Sequence, residues 1–542
     1  MCAGLGAERW VTAIAGAVVA ALTAVLVWRA GSIFVNTELN ADLIAPLVMG
    51  EAAHRYADAQ LVTGRLGWWG GLWIVQLLRP LPGGMEIATW LPFAGTIAVT
   101  LAVAWQARRV WSPLAAAVLA LAALSVGPMA WAYDASWSAR SPSWWTMALA
   151  GLAAVALARG PRPGAVALAG VALVWGAICA SGDQLVLIGA AAPLAACAAY
   201  AAWRRAYRLA GALAGGAVAM WLGSLVVASL AERAGYLRQS FPVELISLSQ
   251  LGTALDHLVE ALQDVWRTPA TWTGDLGVLL VAAAALSGLA ALVVAWRRRG
   301  PAPGGARELE RGLWVTFWVV ALLAYLAAFT LTTVGGLAGV QSVRYLYGVP
   351  LAAAATLAAA IPSARSLGPV VAAGVAVLAV AVTWQYARNP PTAPPLTADL
   401  SRSALYDRIE QIAREEGVTR GFASYWTAYP LTWRSGGAVD VTPIGTCGDG
   451  WCPMYLHYID RAYEPQPVER SFVLIDGSPL ARGGFWGAWA TDLAAGVRPT
   501  KVVDVGDGVR MAIFEGDVAR SLRPNAGLLD PRVGHGGPLE PR

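Results

Sequence analysis

Long apolar segments, repeated along most of the chain, are the feature that most constrains its fold. Eleven can be marked between residues 10 and 387, and most approach the ~20 residues that a helix needs to cross a bilayer. The chain of 542 residues is 57% hydrophobic and 13% charged, whereas soluble proteins carry roughly 25% charged residues. The sequence therefore predicts a polytopic α-helical membrane protein.

Each apolar segment predicts one transmembrane helix, and their Gly and Ala content suits close helix packing in lipid. A cleavable signal peptide is the alternative for the first segment, but no small-residue cleavage site follows it. The predicted spans are 10–28, 87–106, 112–132, 144–158, 165–180, 185–203, 209–230, 276–296, 312–334, 345–361 and 367–387.

Arginine predicts the orientation of these helices. The net charge of +5 comes almost wholly from Arg, with Lys501 the single lysine. That usage is typical of a GC-rich genome, and we expect no nucleic-acid partner. The arginines occupy alternate short loops, at 108–109, 159–162, 204–208, 297–311 and 365. The positive-inside rule places these loops and the N-terminus in the cytoplasm, and the C-terminus outside the plasma membrane.

Two long loops are predicted on the external side. The apolar stretch at 67–79 is too short for a span, and counting it as one would invert the later loops, so we expect an interfacial helix within an external loop at 29–86. The second loop covers 231–275. Within it Leu255, Leu258, Leu262 and Val265 share one helical face, which predicts either a second interfacial helix or a helix packed on its own protein.

The composition changes after residue 388. Residues 389–398 form a Pro-rich linker between a transmembrane domain at 1–388 and an external α/β domain at 399–522. We expect helices at 400–418 and 479–496, a closing hairpin across Gly506–Gly508, and disorder at 523–542. Strands are predicted for GFASYW, AVDVTPI and RSFVLID.

Two of the five cysteines lie in this external domain. Cys447 and Cys452 bracket GDGW, and outside the cytoplasm that spacing predicts a short disulfide. A metal site is the weaker alternative because no second Cys pair accompanies them. The remaining cysteines lie in or near the apolar segments and are predicted to be packing residues.

The sequence lacks the motifs of soluble catalysis. It has no GxxxxGKS phosphate loop, no HExxH, and no GxSxG at a strand–helix turn. Polar residues at the outer ends of the spans therefore become the candidate site residues. These are Glu38, Asp42, Asp134, Arg140, Asp183, Arg238 and Arg344.

Asp42 is the strongest candidate for a catalytic base. Pro46 predicts the start of a helix over 46–60, with Asp42 in the turn before it and Glu51 and His54 on its polar side. A partly desolvated carboxylate at a bilayer surface can accept a proton from an attacking hydroxyl. A solvated turn carboxylate is the alternative, and Glu38 or Glu51 are the alternative bases.

Three stretches carry a resemblance to a known family. NADLIAP at 40–46 resembles the acidic first-loop motif of C-type (GT-C) glycosyltransferases, and SVRYLYGVP at 342–350 resembles an Arg–Tyr–Leu sequence of their dolichyl-phosphate-mannose-dependent branch. SYWTAYPLTWRSGG at 424–437 looks like tail segments of bacterial relatives. The chain departs from the paired adjacent acids of several branches, which leaves Glu38 and Glu51 open as the base.

The resemblance implies a GT-C-like enzyme that moves a hexose or pentose from a polyprenyl-phosphate donor to an extracytoplasmic glycan or glycolipid of the cell envelope, with inversion. Arg344, Arg140 and Arg238 would bind the donor phosphate. No ligand spacing identifies a metal, although a divalent ion is compatible with the acids on this side. The residues expected to contact the acceptor sugar are His54, Trp137, Tyr425 and Trp426.

Two other functions fit the same architecture. A lipid or polysaccharide transporter or flippase would need polar residues near mid-membrane, and the apolar segments contain almost none. A non-catalytic scaffold for envelope assembly would act through the tail, and only an activity assay separates it from the enzyme.

Overall fold

The chain, in a computed structural model, forms two compact units. Unit 1 comprises Met1–Phe34, Trp90–Ala228 and Pro242–Ala393, and unit 2 comprises Val35–Thr89, Ser229–Phe241 and Pro394–Arg542. The described residues are 2–38, 41–55, 61–63, 69–135, 137, 141–234, 236–238, 244–297, 305–333, 345–363, 368–388, 400–447, 450–453, 458–476 and 497–523.

Helices dominate the chain before residue 390. In chain order they are α1 (Cys2–Glu38), α2 (Ala41–Arg55), α3 (Trp69–Leu78), α4 (Gly84–Val110), α5 (Pro113–Leu124), α6 (Pro128–Asp134), α7 (Ser141–Leu157), α8 (Pro163–Ala180), α9 (Ala192–Trp203), α10 (Tyr207–Arg233), α11 (Leu251–Trp266), α12 (Trp272–Arg297), α13 (Gly305–Leu331), α14 (Gly348–Ser363) and α15 (Gly368–Arg388).

Seven helices in the described part of the chain are long and apolar enough to cross a membrane. They correspond to seven of the predicted spans. The other four predicted spans fall on shorter apolar helices, at Pro113–Leu124, Ser141–Leu157, Leu187–Trp203 and Gly348–Ile361. The third of these begins with a π-helical turn, Leu187–Ala191, that runs directly into α9.

The predicted span at 112–132 is not one helix, because the chain breaks between α5 and α6. Pro128 starts α6, and the Gly127 N–H donates to the Val265 carbonyl oxygen at 2.7 Å. A Cβ at Gly127 would lie 2.4 Å from the Arg267 carbonyl oxygen. The end of α11 therefore takes the space that a continuous helix would need.

Charged residues in unit 1 pair at the start of α13. Glu310 accepts hydrogen bonds from two guanidinium nitrogens of Arg159, and Glu308 lies 3.2 Å from Arg204. Arg204 and Glu310 are buried. These arginines belong to two loops predicted to be cytoplasmic, so part of the predicted loop charge is neutralised within the protein.

Helix α11 packs against its own unit. Ala261, Leu262, Val265 and Trp266 are buried, which favours the second of the two sequence interpretations for most of this face. Leu255 is 47% exposed, so the predicted apolar stripe divides into a buried C-terminal half and a more open N-terminal half.

Unit 2 contains the remaining elements. The helices are α16 (Leu400–Glu415) and α17 (Tyr425–Arg434). The strands are β1 (Leu61–Thr63), β2 (Tyr236–Arg238), β3 (Arg420–Ala423), β4 (Asp440–Cys447), β5 (Gly450–Pro453), β6 (Tyr458–Ile459), β7 (Arg470–Asp476), β8 (Lys501–Gly506) and β9 (Val509–Glu515).

A six-stranded mixed sheet organises the tail, in the order β5-β4-β3-β7-β9-β8. Strand β3 is parallel to β4 and β7, and the other pairs are antiparallel. The central strand β7 is apolar on both faces, since Phe472 and Leu474 join one core cluster and Val473 and Ile475 the other. Two buried faces explain why the centre of RSFVLID, FVLI, is a continuous apolar run.

A buried ion pair joins β3 to the turn after β9. Arg420 lies 2.8 Å from Asp517, and both side chains are almost fully buried, at 3% and 0% exposure. Asp517 also accepts backbone N–H groups of Gln466 at 2.7 Å and Ala519 at 3.0 Å. These bonds satisfy the buried carboxylate on several sides.

A second, three-stranded sheet joins distant parts of the sequence, in the order β2-β1-β6. Strand β1 pairs in parallel with β2 and antiparallel with β6. Segments from both predicted external loops thus share a sheet with the tail. The two compact units therefore combine segments that are distant in sequence, whereas each predicted domain is one continuous stretch of the chain.

The tail predictions have mixed outcomes. Strands β4 and β7 and the β8–β9 hairpin confirm the predicted strands and turn, and α16 confirms the predicted helix. The strand prediction for GFASYW is wrong at its end, because β3 stops at Ala423 and α17 begins at Tyr425. The predicted helix at 479–496, the linker at 389–398 and residues 524–542 lie outside the described residues.

Candidate functional site

Helix α2 carries the candidate base and begins earlier than predicted. Asp42 is its second residue, and Pro46 is inside the helix and does not start it. Because proline has no N–H, the Asp42 carbonyl cannot receive the usual helical hydrogen bond from residue 46. Glu38 is the last residue of α1. The side chains of Glu38 and Asp42 lie outside the described part of the chain.

The buried side of α2 packs on α3 and on α17. Ile44, Ala45 and Met49 have no exposed surface. Gly50 lets α3 approach closely, since a Cβ there would lie 2.5 Å from the Val75 Cγ1 atom. The helix predicted at 67–79 is therefore confirmed as a helix, and it supports the back of α2.

Glu51, one of the alternative bases, is held in an ion pair. Its two carboxylate oxygens accept from Nε and Nη2 of Arg79, at 2.6 and 2.8 Å. This hydrogen bonding raises the pKa of Arg79. The two side chains are 33% and 26% exposed. A carboxylate with both oxygens occupied by a guanidinium is poorly placed to remove a proton, which favours Asp42 or Glu38 for that role.

Helix α17 presents an aromatic stripe to the interior of unit 2. Tyr425, Tyr429 and Trp433 recur every fourth residue and so share one helical face. Tyr425 is fully buried, Tyr429 is 3% exposed, and Trp433 at the end of the helix is partly exposed. The stripe therefore runs from the core to the surface.

The end of α17 is fixed by its own hydrogen bonds. Gly436 N–H donates to the Trp433 carbonyl, and Gly437 N–H donates to the Thr432 carbonyl, both at 2.9 Å. The two glycines have φ values of +61° and +78°, which is the geometry of a Schellman cap. The Thr432 hydroxyl accepts the Val441 N–H at 2.9 Å. These bonds fix the backbone at the end of α17, including that of Trp433, beside β4.

A cavity of about 360 Å³ lies in unit 2, between α2, the first turn of α4, α17 and β4. Its size is within the usual range of ligand pockets, ~300–1,000 Å³. The lining residues that matter for recognition are Glu51, Tyr429, Thr432, Trp433 and Asp440. The described lining residues include two carboxylates and no Lys, Arg or His.

Electrostatics inside the cavity are set by its acids. Burial, and secondarily the charge of Asp440, raises the pKa of Tyr429 well above its ordinary value. Tyr429 therefore stays a neutral hydroxyl at physiological pH. The wall can accept hydrogen bonds through its carboxylates, and it presents an indole face at Trp433.

Two regions with predicted site residues meet in unit 1. Tyr133, next to Asp134, stacks on Tyr347 with ring centroids 5.0 Å apart. Tyr347 follows Arg344 by three residues. Described residues close in sequence to these two candidates, Tyr133 and Tyr347, are thus in contact. Arg140 and Arg344 lie outside the described residues, as do the side chains of Asp134 and Arg238.

Asp183 has a structural role in the same unit. It is 8% exposed and accepts the Ser143 hydroxyl and the Leu185 N–H, each at 3.0 Å. In the described part of the chain, no three His, Cys, Asp or Glu residues come together as a metal site.

The predicted sugar-binding residues have different surroundings. Trp137 is 2% exposed and packs edge-on against Trp145 at 5.6 Å. Tyr425 is fully buried and contacts the partly exposed Trp426 at 5.1 Å. A ring this deeply buried has no free face for a sugar, and this holds for both Tyr425 and Trp137. The side chain of His54 lies outside the described residues.

Cys452 is disulfide-bonded in the structure. Strands β4 and β5 place its backbone opposite Gly445, and the Cys447 backbone is opposite Gly450 in the same hairpin. The Cys447 side chain is outside the described residues, so the pairing of these two cysteines stays a prediction. Cys179 and Cys197 are free and buried.

Three residues at or behind the cavity wall were not predicted from the sequence. Trp433 and Asp440 line the cavity, and Arg79 pairs with the lining residue Glu51. A signal for Trp433 was present, because the spacing of Tyr425, Tyr429 and Trp433 is helical. The β-forming residues of SYW led instead to a strand prediction. Asp440 and Arg79 become recognisable only from the fold.

Comparisons with known proteins give little further guidance. No family model matches the chain, and no curated protein matches it. Among solved structures, it is similar to an oligosaccharyltransferase of Archaeoglobus fulgidus, crystallised with zinc and sulfate, with a TM-score of 0.40 and 12% identity. The match covers 76% of this chain and 61% of that protein.

Proposed function

We propose that the protein is a membrane glycosyltransferase that moves a sugar from a polyprenyl-phosphate donor to a cell-envelope acceptor outside the cytoplasm. The observation that supports this most is the packing of α2, which carries Asp42, on the tail helix α17, with an acidic and aromatic cavity beside them. The apolar helices supply the membrane anchoring that a lipid-linked donor requires.

Asp42 is the proposed general base. It occupies the first turn of α2, where the helix dipole favours an ionised carboxylate. In that form it can remove the proton from the acceptor hydroxyl, which then attacks the anomeric carbon as the lipid phosphate leaves. A single displacement of this kind inverts the anomeric configuration.

Arginines are the proposed ligands of the donor phosphate. Arg344 has the first place because a guanidinium can hold a phosphate with two parallel hydrogen bonds, and Arg140 and Arg238 are the further candidates. Their contribution is to neutralise the charge that develops on the leaving phosphate.

The test uses the full-length protein in lipid nanodiscs with radiolabelled polyprenyl-phosphate mannose, glucose, galactose and arabinose, each supplied with an envelope glycolipid extract. We expect one donor to be consumed, with label in the extract. Asp42→Asn should lower that transfer by at least ~100-fold, in line with the loss of a general base.

Three further variants separate the alternatives. Glu38→Gln should retain transfer, as should Asp256→Asn, a matched control on the exposed side of α11. Glu51→Gln should leave kcat nearly unchanged, because Arg79 occupies both carboxylate oxygens of Glu51. If Asp42→Asn keeps full transfer activity and Glu38→Gln loses it, the general base is Glu38 and not Asp42. Failure of every donor with folded wild-type protein would argue for a scaffold.

A further inference from the structure

The cavity of unit 2 has no role in the transfer chemistry proposed for Asp42, yet its walls carry side chains suited to ligand binding. It combines a partly exposed indole, two carboxylates and a buried tyrosine hydroxyl in about 360 Å³. We propose that it binds a neutral sugar residue of the acceptor glycan, at a distance from the hydroxyl that reacts.

The negative charge of the lining indicates that the cavity binds the neutral acceptor and not the phosphate-bearing donor. Glu51 and Asp440 line the cavity, and the described lining contains no basic side chain. Arg79 pairs with Glu51 from the side, and Asp440 is close enough to Tyr429 for its charge to act on that hydroxyl. A phosphate would be repelled by this wall. Sugar hydroxyls would instead donate to the carboxylates, and hydrogen bonds to an ionised acceptor are the strong kind.

Trp433 provides the apolar half of the site. The C–H face of a sugar ring is weakly positive and the face of an indole is negative, so the two attract when they stack. Trp433 is partly exposed at the cavity, and the Schellman cap of α17 fixes its backbone. A tryptophan side chain has only two χ angles, so it offers a large contact area at a low entropy cost on binding.

The position of the cavity on α2 sets its distance from the reaction. Glu51 follows Asp42 by nine residues on α2, which corresponds to about 13 Å along a helix axis. That separation exceeds one sugar ring. If Asp42 is the base, as the proposed function holds, the cavity holds a residue one or more units away from the attacking hydroxyl. The enzyme would then require an oligosaccharide acceptor.

Direct binding is the first test, because it does not depend on turnover. Saturation-transfer NMR on the full-length protein in nanodiscs would use four neutral trisaccharides (maltotriose, α-1,6-mannotriose, chitotriose and α-1,5-arabinotriose) and glucose 1-phosphate. We expect at least one trisaccharide to bind and glucose 1-phosphate not to bind. Trp433→Ala and Asp440→Asn should each weaken that binding by about tenfold or more.

Matched controls make the result specific. Trp384→Ala removes an exposed tryptophan of unit 1 and should leave binding unchanged. If hydrogen exchange shows that Trp433→Ala disturbs β4, Asp440→Asn, which is close to isosteric, decides the question. The inference is overturned if no trisaccharide binds wild-type protein, if both cavity variants bind normally, or if glucose 1-phosphate binds better than the neutral sugars.

Asp42→Asn distinguishes this inference from the proposed function. It should bind the trisaccharide like wild type while losing transfer. Binding together with failure of all transfer assays would refute the glycosyltransferase proposal and leave the sugar site standing. In an active enzyme, Trp433→Ala should raise KM for a long acceptor with kcat nearly unchanged, whereas an equal fall in kcat would contradict the remote position of the site.

Discussion

Two arginine–carboxylate pairs in unit 2 have almost the same chemistry and very different surroundings. Arg420–Asp517 is enclosed in the core of the tail, and Asp517 accepts two backbone N–H groups as well. Glu51–Arg79 lies at the cavity wall with about a third and a quarter of its side chains exposed. Water can replace a lost partner at the wall, and it cannot do so in the core.

The difference indicates that the two pairs have different roles within unit 2. Enclosed charges fix the arrangement of β3, β7 and the turn after β9, and their loss should lower the free energy of unfolding. Charges at the wall contribute little to stability and remain in contact with whatever enters the cavity. Three substitutions test this division.

The largest effect is expected for Asp517→Ala. It leaves the Arg420 guanidinium buried without its carboxylate, which typically costs about 3–5 kcal/mol. Hydrogen exchange of the full-length protein should show loss of protection in β3, β7 and β9. Asp407→Ala is the matched control, because Asp407 pairs with Arg434 at the surface with 67% of its side chain exposed. Equal effects of the two variants would remove the distinction between core and surface pairs.

An intermediate effect is expected behind the cavity wall, for Gly50→Ala. The added methyl group would contact Val75 at 2.5 Å and push α2 and α3 apart, at a cost of about 1–3 kcal/mol. Exchange protection in α2 should fall. Gly252→Ala in α11, where nothing lies within 4 Å of the new Cβ, should be neutral or stabilising. Unchanged protection in Gly50→Ala would mean that the helices do not pack this closely.

The smallest effect on stability is expected for Arg79→Gln. The pair is partly exposed, and such pairs contribute about 0–1 kcal/mol. Protection of α2 and α3 should stay close to wild type, while sugar binding should change because Glu51 loses its partner beside the cavity. A loss of protection as large as that of Asp517→Ala would show that the wall pair also holds the fold.

Local sequence patterns predicted the parts of the fold that depend on neighbouring residues. RSFVLID and the Gly506–Gly508 hairpin were recognisable because burial and turn chemistry act within a few residues. The break between α5 and α6 was missed although Gly127–Pro128 is a local breaker signal, because apolarity continues through it. The contact with the end of α11, which reinforces the break, is remote in sequence. Strands β1, β2 and β6 have two or three residues each, too few to show any pattern.

The candidate site was predicted in outline only. The sequence identified the acid-bearing segment and the aromatic tail segment, but treated them as separate features. Their contact through α2 and α17 depends on the tertiary fold. Because SYW was predicted to be a strand, the helical spacing that brings Trp433 to the cavity was not recognised.

The three-stranded sheet has a consequence for the order of synthesis. Strand β1 cannot pair with β6 until β6 has been synthesised. Strand β6 begins at Tyr458, which is 397 residues after Leu61, the first residue of β1. At about 5–20 residues per second, this delay is roughly 20–80 s. Throughout that time α2 lacks the tail helix that covers it, and its apolar side must be shielded by something else. Mutations in the tail should therefore appear first as a failure of biogenesis that affects α2. At the slow end of the range, α2 is synthesised more than a minute before the tail.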